Sequence, residues 1–494
     1  MRNGSSCKAG DRGGVSCPAF SPSILHSPFS IPLLVALALR LAVSLCLFGS
    51  QPMLGDGADY YAQAVQLFDG SRPDVPFYWP PGTSYFLELC FWLFGVGEAS
   101  ARLGLAVLAR LNVALVSRLA FDITASRRSA HVAAWLAALY PPDVLLSCSS
   151  FSQYLSLFCL TGTAVFGYRL LKSCAPRFAC DDEVGCRPLR PECRPFDRAR
   201  GALLTGAFLG VGCLTRPSLM AVVALVPVAA AVAWWWTWRG DRRRGAMRFG
   251  VSAAATCAVA FAVALPVIRH NVRTGGGFTL STNNERNVFL GNNPFTPHYK
   301  TGHFAQRSLE ELPADVQNYL RGYYESENPR QAMKQAAMTY IREHPGITLL
   351  RTANRARAFW GFDYIGSRQF QQAFGLASAG FYALLAVEAG GYAAVMLLAI
   401  AGLVLTLRRL PIGGTLWLLG LIAASAAPYC LAFSAGAYHF PTMGLVIPFA
   451  ACGCVSLTDG TWREIVRRRT FWIGLAAFLV IQIEYAWFSL RHAG

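Results

Sequence analysis

The chain has 494 residues, 54% of them hydrophobic and 14% charged, with a formal net charge of +17. So little charge excludes an ordinary soluble domain, and the mean hydropathy of +0.36 points to a polytopic membrane protein. The basic residues cluster between apolar runs, as the positive-inside rule expects, and no nucleic-acid module accompanies them.

Residues 1–30, polar and rich in Ser, Gly and Pro, read as a disordered cytoplasmic tail. The run from Ile31 to Phe48 is long for a signal-peptide core and reads as an uncleaved anchor. Apolar runs near the membrane-crossing length of about 20 residues predict about eleven helical spans. They lie near 31–49, 100–121, 130–147, 150–171, 201–214, 217–236, 249–268, 385–407, 412–433, 440–458 and 471–489. The basic loops holding Arg127 and Arg128, Lys172 to Arg200, Arg239 to Arg248, Arg408 and Arg409, and Arg463 with Arg467 to Arg469 then share one face, with the N-terminus cytoplasmic. The run from Pro81 to Gly95 is too short to cross. It reads as an interfacial helix with Trp79, Tyr85 and Trp92 as aromatic anchors.

This threading divides the chain into the tail, an N-terminal transmembrane module 31–268 with its first outer loop 50–99, an extracytoplasmic segment 269–384, and C-terminal transmembrane helices 385–494. In the outer segment, residues 314–345 have helical periodicity, with His344-Pro345 as the stop. The chain holds fifteen Cys, most within apolar runs; Cys174, Cys180, Cys186 and Cys193 lack zinc-site spacing and read as free thiols.

The outer face collects the unusual polar groups. In GDGADYYAQAVQLFDG, Gly55 to Gly70, Asp56 and Asp59 fall three apart on a helix and share a face with Tyr60. Asp56 reads as an N-cap on one view and as a general base on another, since a carboxylate at a cavity mouth can deprotonate an acceptor. Arg216 sits at a turn between spans, where its guanidinium either snorkels to the interface or holds a lipid phosphate. The segment from Pro266, holding Arg269, Asn292 and Asn293, is rich in Gly and Asn; it is either turn sequence or a donor-rich surface for polyhydroxyl and phosphate groups. His439 lies at a further outer turn.

In order, these motifs resemble bacterial GT-C glycosyltransferases, the family of protein O-mannosyltransferases and lipid A aminoarabinose transferases. The resemblance rests on Asp56, Tyr60 and Ala64; Pro80-Pro81-Gly82 with Phe94 and Gly95; Tyr140-Pro141-Pro142; Thr215-Arg216-Pro217; Pro266, Arg269 and Asn271; Gly291 to Pro294; and His439 to Pro441. It implies an all-α, GT-C-like membrane protein that moves a sugar from a polyprenyl-phosphate donor to a glycolipid, glycan or protein acceptor on the outer face of the inner membrane, with inversion. Asp56 would be the catalytic carboxylate and Arg216 a contact to the donor phosphate. Asp59, Tyr60, Gln153, Arg269, Asn292, Asn293 and His439 are the further substrate-site candidates. Three departures stand out: Gln153 follows Ser152 where many relatives have Glu, Trp79 replaces a basic residue, and Tyr78 replaces an acidic metal ligand. No structural zinc or other cofactor is expected, with a divalent metal left open. The alternatives are a transporter or flippase, for which Arg40, Arg110, Arg118 and Glu484 are the charges within spans, and a non-catalytic lipid-binding envelope assembly protein.

Overall fold

The computed structural model describes residues 30–49, 51–149, 151–174, 177–181, 185–189, 195–237, 242–299, 308–407 and 410–491. The expected tail lies outside them except for Ser30. The architecture is all-α apart from a short antiparallel hairpin, β1 (Arg177–Asp181) with β2 (Gly185–Leu189). Among the described residues, nine helices are long and apolar enough to cross a membrane. The other two expected spans fall on helices that do not meet that measure. One is α8 (Pro195–Thr215), whose first turns are charged. The other is split into α5 (Arg127–Leu139) and α6 (Pro141–Leu146).

Prolines cause that split. The residue before a proline is driven out of the helical region, and Tyr140 has ψ 108°. Pro141 and Pro142 lack N–H groups, so the carbonyls of Ala137 and Ala138, four residues back, lose their helical donors. Arg40 of α1 (Ser30–Leu41, continued by a π-helical turn to Leu47) replaces them, donating to Ala138 O at 2.8 Å and Ala137 O at 3.1 Å. The same guanidinium pairs with Asp143 at 2.5 Å. Thus Tyr-Pro-Pro-Asp and Arg40 form one buried joint between the first span and the broken one.

The main bundle packs α1, α4 (Glu98–Thr124), α5, α7 (Ser152–Cys174), α8, α9 (Met220–Thr237) and α10 (Arg242–Arg273). The later helices are part of it. Of these, α17 (Ile412–Leu431) packs on α9 and α7, and α18 (Met443–Thr458) packs on α4, α5 and α16 (Ser378–Thr406). The α16–α18 crossing is very close: a Cβ on Gly402 would lie 1.8 Å from Phe449 O, and one on Gly453 2.0 Å from Leu398 O. Small residues permit such an approach, which is how helices gain packing where lipid removes the hydrophobic drive.

Outside the bundle, α2 (Asp56–Phe68) and α3 (Gly82–Phe94) pack together as the expected short helices of the first outer loop. Leu89, Trp92, Leu93 and Phe94 remain exposed on α3, while Trp79 turns inward to Tyr60, with ring centroids 5.9 Å apart. The later segment contains α11 (Asn284–Gly291), α12 (Ala314–Tyr324), α13 (Pro329–Glu343), α14 (Pro345–Phe359) and α15 (Ile365–Phe374). Helix 314–343 is interrupted at 325–328, where Asn328 caps α13 by accepting from Gln331 N. Phe289, Leu312, Leu320 and Met333 form a small separate core there.

Candidate functional site

Asp56 opens α2. The cap position itself is Gly55, at φ 56° and ψ −145°, a conformation open essentially to glycine alone. This corrects the N-cap reading: Asp56 is the first helical residue, and no side chain caps the helix. The carboxylate is exposed to solvent, yet enough protein surrounds it to desolvate it in part. Burial raises its pKa above the ordinary carboxylate value, Arg216 opposes that shift, and Asp59 adds to it. Asp59 is exposed one turn on, its pKa also raised by desolvation. Tyr60 faces inward, 4% exposed, hydrogen-bonded to Ser152, and burial pushes its hydroxyl up to about 12.

Arg216 approaches from the α8–α9 turn. Its Nε donates to Tyr429 Oη at 2.6 Å and its Nη1 to Ser152 Oγ at 3.3 Å. The guanidinium also lies 5.2 Å from the Tyr429 ring and 5.1 Å from the Tyr438 ring, within cation–π range. Those two rings stack at 4.6 Å and 9°. Ser218 Oγ lies 2.9 Å from Tyr429 Oη. The cluster therefore joins Asp56 and Tyr60 of α2, Ser152 of α7, Arg216, Tyr429 of α17 and Tyr438. It pairs an accessible carboxylate with a cation whose aromatic cradle fixes its direction.

Several motifs act as joints around this cluster. A Cβ on Gly82 would lie 2.6 Å from Leu214 C and Thr215 N, so the Pro-Pro-Gly turn is docked on the Thr-Arg-Pro turn. Asn271 accepts from Phe77 N at 2.8 Å and donates to Thr279 O at 2.8 Å, tying the 50–99 loop to the end of α10. Arg273 adds an ion pair to Asp74 at 3.1 Å. Arg102, buried in α4, donates to Gln51 O at 2.6 Å and Cys148 O at 3.2 Å, fixing the approach to Asp56.

The remaining candidates have other surroundings. Asn292 donates to Val288 O at 2.9 Å and Leu431 O at 3.0 Å, and Asn293 to Phe289 O at 2.9 Å, so both amides serve backbone carbonyls. Arg269 is exposed on α10, lining an open cleft of about 410 Å³ with Pro266, His270 and Arg273. His439 is 2% exposed, its Nδ1 2.9 Å from Phe359 O, with its ring stacked on Tyr392 at 4.4 Å and facing Trp360 at 6.3 Å. Gln153 is buried beside Ser152, and its Oε1 has no hydrogen-bond partner. Asp143, a carboxylate that could stand in for the missing Glu, is held by Arg40. Of the other charges within spans, Arg118 pairs with Asp122 at 3.1 Å and Glu484 with Arg357 at 2.9 Å. Among the described residues no group of three or more His, Cys, Asp or Glu is placed to hold a metal ion. Sequence reasoning missed Tyr429 and Tyr438. The available signal was a phenol at each side of the 431–436 turn, one of them next to His439.

No family model matches the chain, and no curated protein matches its sequence. Among solved structures, the apo oligosaccharyltransferase of Archaeoglobus fulgidus aligns at TM-score 0.50 and 13% identity, over 92% of this chain and 54% of that one. The same archaeon's AglB, solved with an inhibitory peptide and a dolichol-phosphate, aligns at TM-score 0.48 and 14% identity, over 93% and 54%. ArnT from Cupriavidus metallidurans, solved with undecaprenyl phosphate, gives TM-score 0.39 and 16% identity, over 88% and 78%. The chain spans about half the length of the oligosaccharyltransferases it matches. The apo alignment shows the fold alone: this is an all-α, multi-pass membrane protein whose helix arrangement is similar to that of the archaeal enzyme.

Proposed function

We propose that this chain is a membrane glycosyltransferase that moves a sugar from a polyprenyl-phosphate donor to a glycolipid, glycan or protein acceptor. The observation that carries the reading is that Asp56 and Arg216, 160 residues apart, lie close enough to act on each other electrostatically, with Tyr60 and Ser152 beside both. The donor phosphate binds Arg216, which Tyr429, Tyr438 and Ser152 orient. Asp56 takes the acceptor's proton as the acceptor attacks the anomeric carbon. The carbon–oxygen bond to the phosphate breaks, the configuration inverts, and the lipid phosphate leaves with its negative charge held by Arg216. Asp59 and Tyr60 line the carboxylate side. Asn292, Asn293, Arg269 and His439 support the walls or neighbouring surface in this reading, and Gln153 offers an amide in place of a second carboxylate. No cofactor is required for this displacement.

The site faces the outside of the plasma (inner) membrane, with the N-terminus cytoplasmic. In this scheme residues 31–268 form the core module, 50–99 and 269–384 its outer parts, and 385–494 the closing helices that supply Tyr429 and Tyr438. Transfer from a radiolabelled polyprenyl-phosphate sugar tests the proposal, with Asp56→Asn beside wild type. Wild-type transfer that Asp56→Asn lowers about 10²–10⁴-fold is expected; equal transfer by both removes Asp56 from the mechanism.

A further inference from the structure

The first turn of α15 is held by two buried acids from opposite sides. Asp363, just before the helix, accepts from Tyr364 N at 2.8 Å and Ile365 N at 3.2 Å. Glu388, inside the span α16, accepts from Gly366 N at 3.1 Å, Ser367 N at 2.9 Å and Ser367 Oγ at 2.5 Å. Four successive amides thus bring both acids to one helix end. The approach is close: a Cβ on Gly366 would lie 2.9 Å from Glu388 Oε1 and 2.8 Å from Leu145 Cβ. Asp363 is 7% exposed and Glu388 1%.

The groups around them supply no counter-charge. Neither acid forms an ion pair, and Asp363 acts on Glu388 as a like charge. Tyr140, Tyr364, Cys148 and, from the last helix (Arg469–Arg491), Tyr485 are close enough to interact with one or both. Phenols and thiols are ordinarily neutral at pH 7. His439, stacked on Tyr392 of α16, turns its Nδ1 to Phe359 O. Asp143 is paired with Arg40 and Glu484 with Arg357, while Arg368 is exposed. The helix end offers about half a positive charge, too little for two carboxylates in a dry site.

The helix they hold is itself a cover. Gln369 of α15 accepts from Ser149 Oγ and from Cys148 Sγ at 3.4 Å. Phe370 packs with Phe48, Leu145 and Cys148, leaving Cys148 2% exposed. Segment 145–149 leads on to Ser152, the partner of Arg216.

We propose that Asp363 and Glu388 hold one proton between them at neutral pH, and that this proton locks α15 onto α16 and over Cys148. Loss of the proton sets two like charges against one helix end and releases α15. Burial pushes the Asp363 carboxyl, which lies outside the spans, up to about 6. By pH 7 the first of the two protons has therefore gone, and the shared one remains. Unfolded carboxyls ionise near pH 4, so the folded state binds the extra proton and its stability falls as pH rises until that proton leaves. The lock is independent of the transfer reaction proposed above.

The test is a thermal melt of the full chain in detergent from pH 6.5 to 8.5, with Glu388→Gln and Asp363→Asn beside wild type. Wild type is expected to lose about 3 °C more over that range than Glu388→Gln, which has no second charge to expose. Asp363→Asn should shift the slope in the same direction. Iodoacetamide labelling of Cys148, mapped by mass spectrometry and referred to the buried Cys159 of α7, reads the cover itself. It should rise with pH in wild type and rise less in Glu388→Gln. Equal slopes in wild type and both variants overturn the proposal. If the variants misfold, wild-type labelling decides: a Cys148 to Cys159 ratio that stays constant from pH 6.5 to 8.5 overturns it.

Discussion

Around Asp56, carboxylates keep exposed surface; around Asn292, polar side chains are consumed by backbone. In the first region a carboxylate remains accessible, and Arg216 is directed by phenols and a hydroxyl. In the second, Arg355 is 1% exposed and donates to Gly291 O and, at 2.8 Å, to Leu431 O, while the neighbouring Arg351 serves Asn293 O at 3.1 Å and Thr296 O. Gly291 is needed because its α-carbon abuts Ala432 O, where a Cβ would lie 1.7 Å away. Both regions are rich in charge and amides. The first leaves an exposed carboxylate, and the second ties the segment after α10 to the end of α17 that carries Tyr429.

Four substitutions break or sharpen this contrast. Asp56→Asn is expected to lower kcat about 10²–10⁴-fold in the lipid-phosphate sugar assay with an unchanged melting curve, the range general base catalysis supplies. Arg355→Met does the opposite: the buried Gly291 carbonyl loses its donor at about 1–3 kcal/mol, while Leu431 O keeps the Asn292 amide. A thermal melt in detergent should therefore show a clear drop, while kcat per folded molecule stays within about threefold of wild type, a change worth less than 1 kcal/mol. Gly55→Ala should destabilise by about 1–3 kcal/mol through backbone strain, read in the same melt. Smallest is Tyr429→Phe, which removes one hydrogen bond to Arg216 and should raise KM for the donor about fivefold, as a loss near 1 kcal/mol implies. Reversed outcomes for Asp56 and Arg355 would exchange the roles of the two regions.

Much of the fold is legible in the sequence because membrane spans announce themselves by length and apolarity. The interrupted helix at Tyr140 is the instructive case. Its prolines are visible in the sequence, but the arginine that satisfies the freed carbonyls lies about a hundred residues away. The candidate site is legible at Asp56 and Arg216, charges that stand at the ends of helices, and at Tyr60, one turn along α2 from Asp56. It is not legible at His439, because adjacent residues of a 3₁₀ turn point about 120° apart. There Tyr438 faces Arg216, while His439 enters an aromatic stack against Tyr392. Nor does Asn-rich sequence tell a ligand surface from a hydrogen-bonded knot; the carbonyls that Asn292 and Asn293 serve become apparent only after folding.

The pH dependence of transfer tests the pairing of Asp56 with Arg216 most directly. Burial raises the Asp56 pKa, so its basic form is lost on acidification at a higher pH than for an ordinary aspartate; Arg216 limits that rise. Replacing Arg216 with Gln should therefore move the acid limb of the kcat/KM profile to higher pH, and Asp56→Asn should abolish that limb. An acid limb at the same pH with and without the Arg216 guanidinium would mean that the two groups do not share a site.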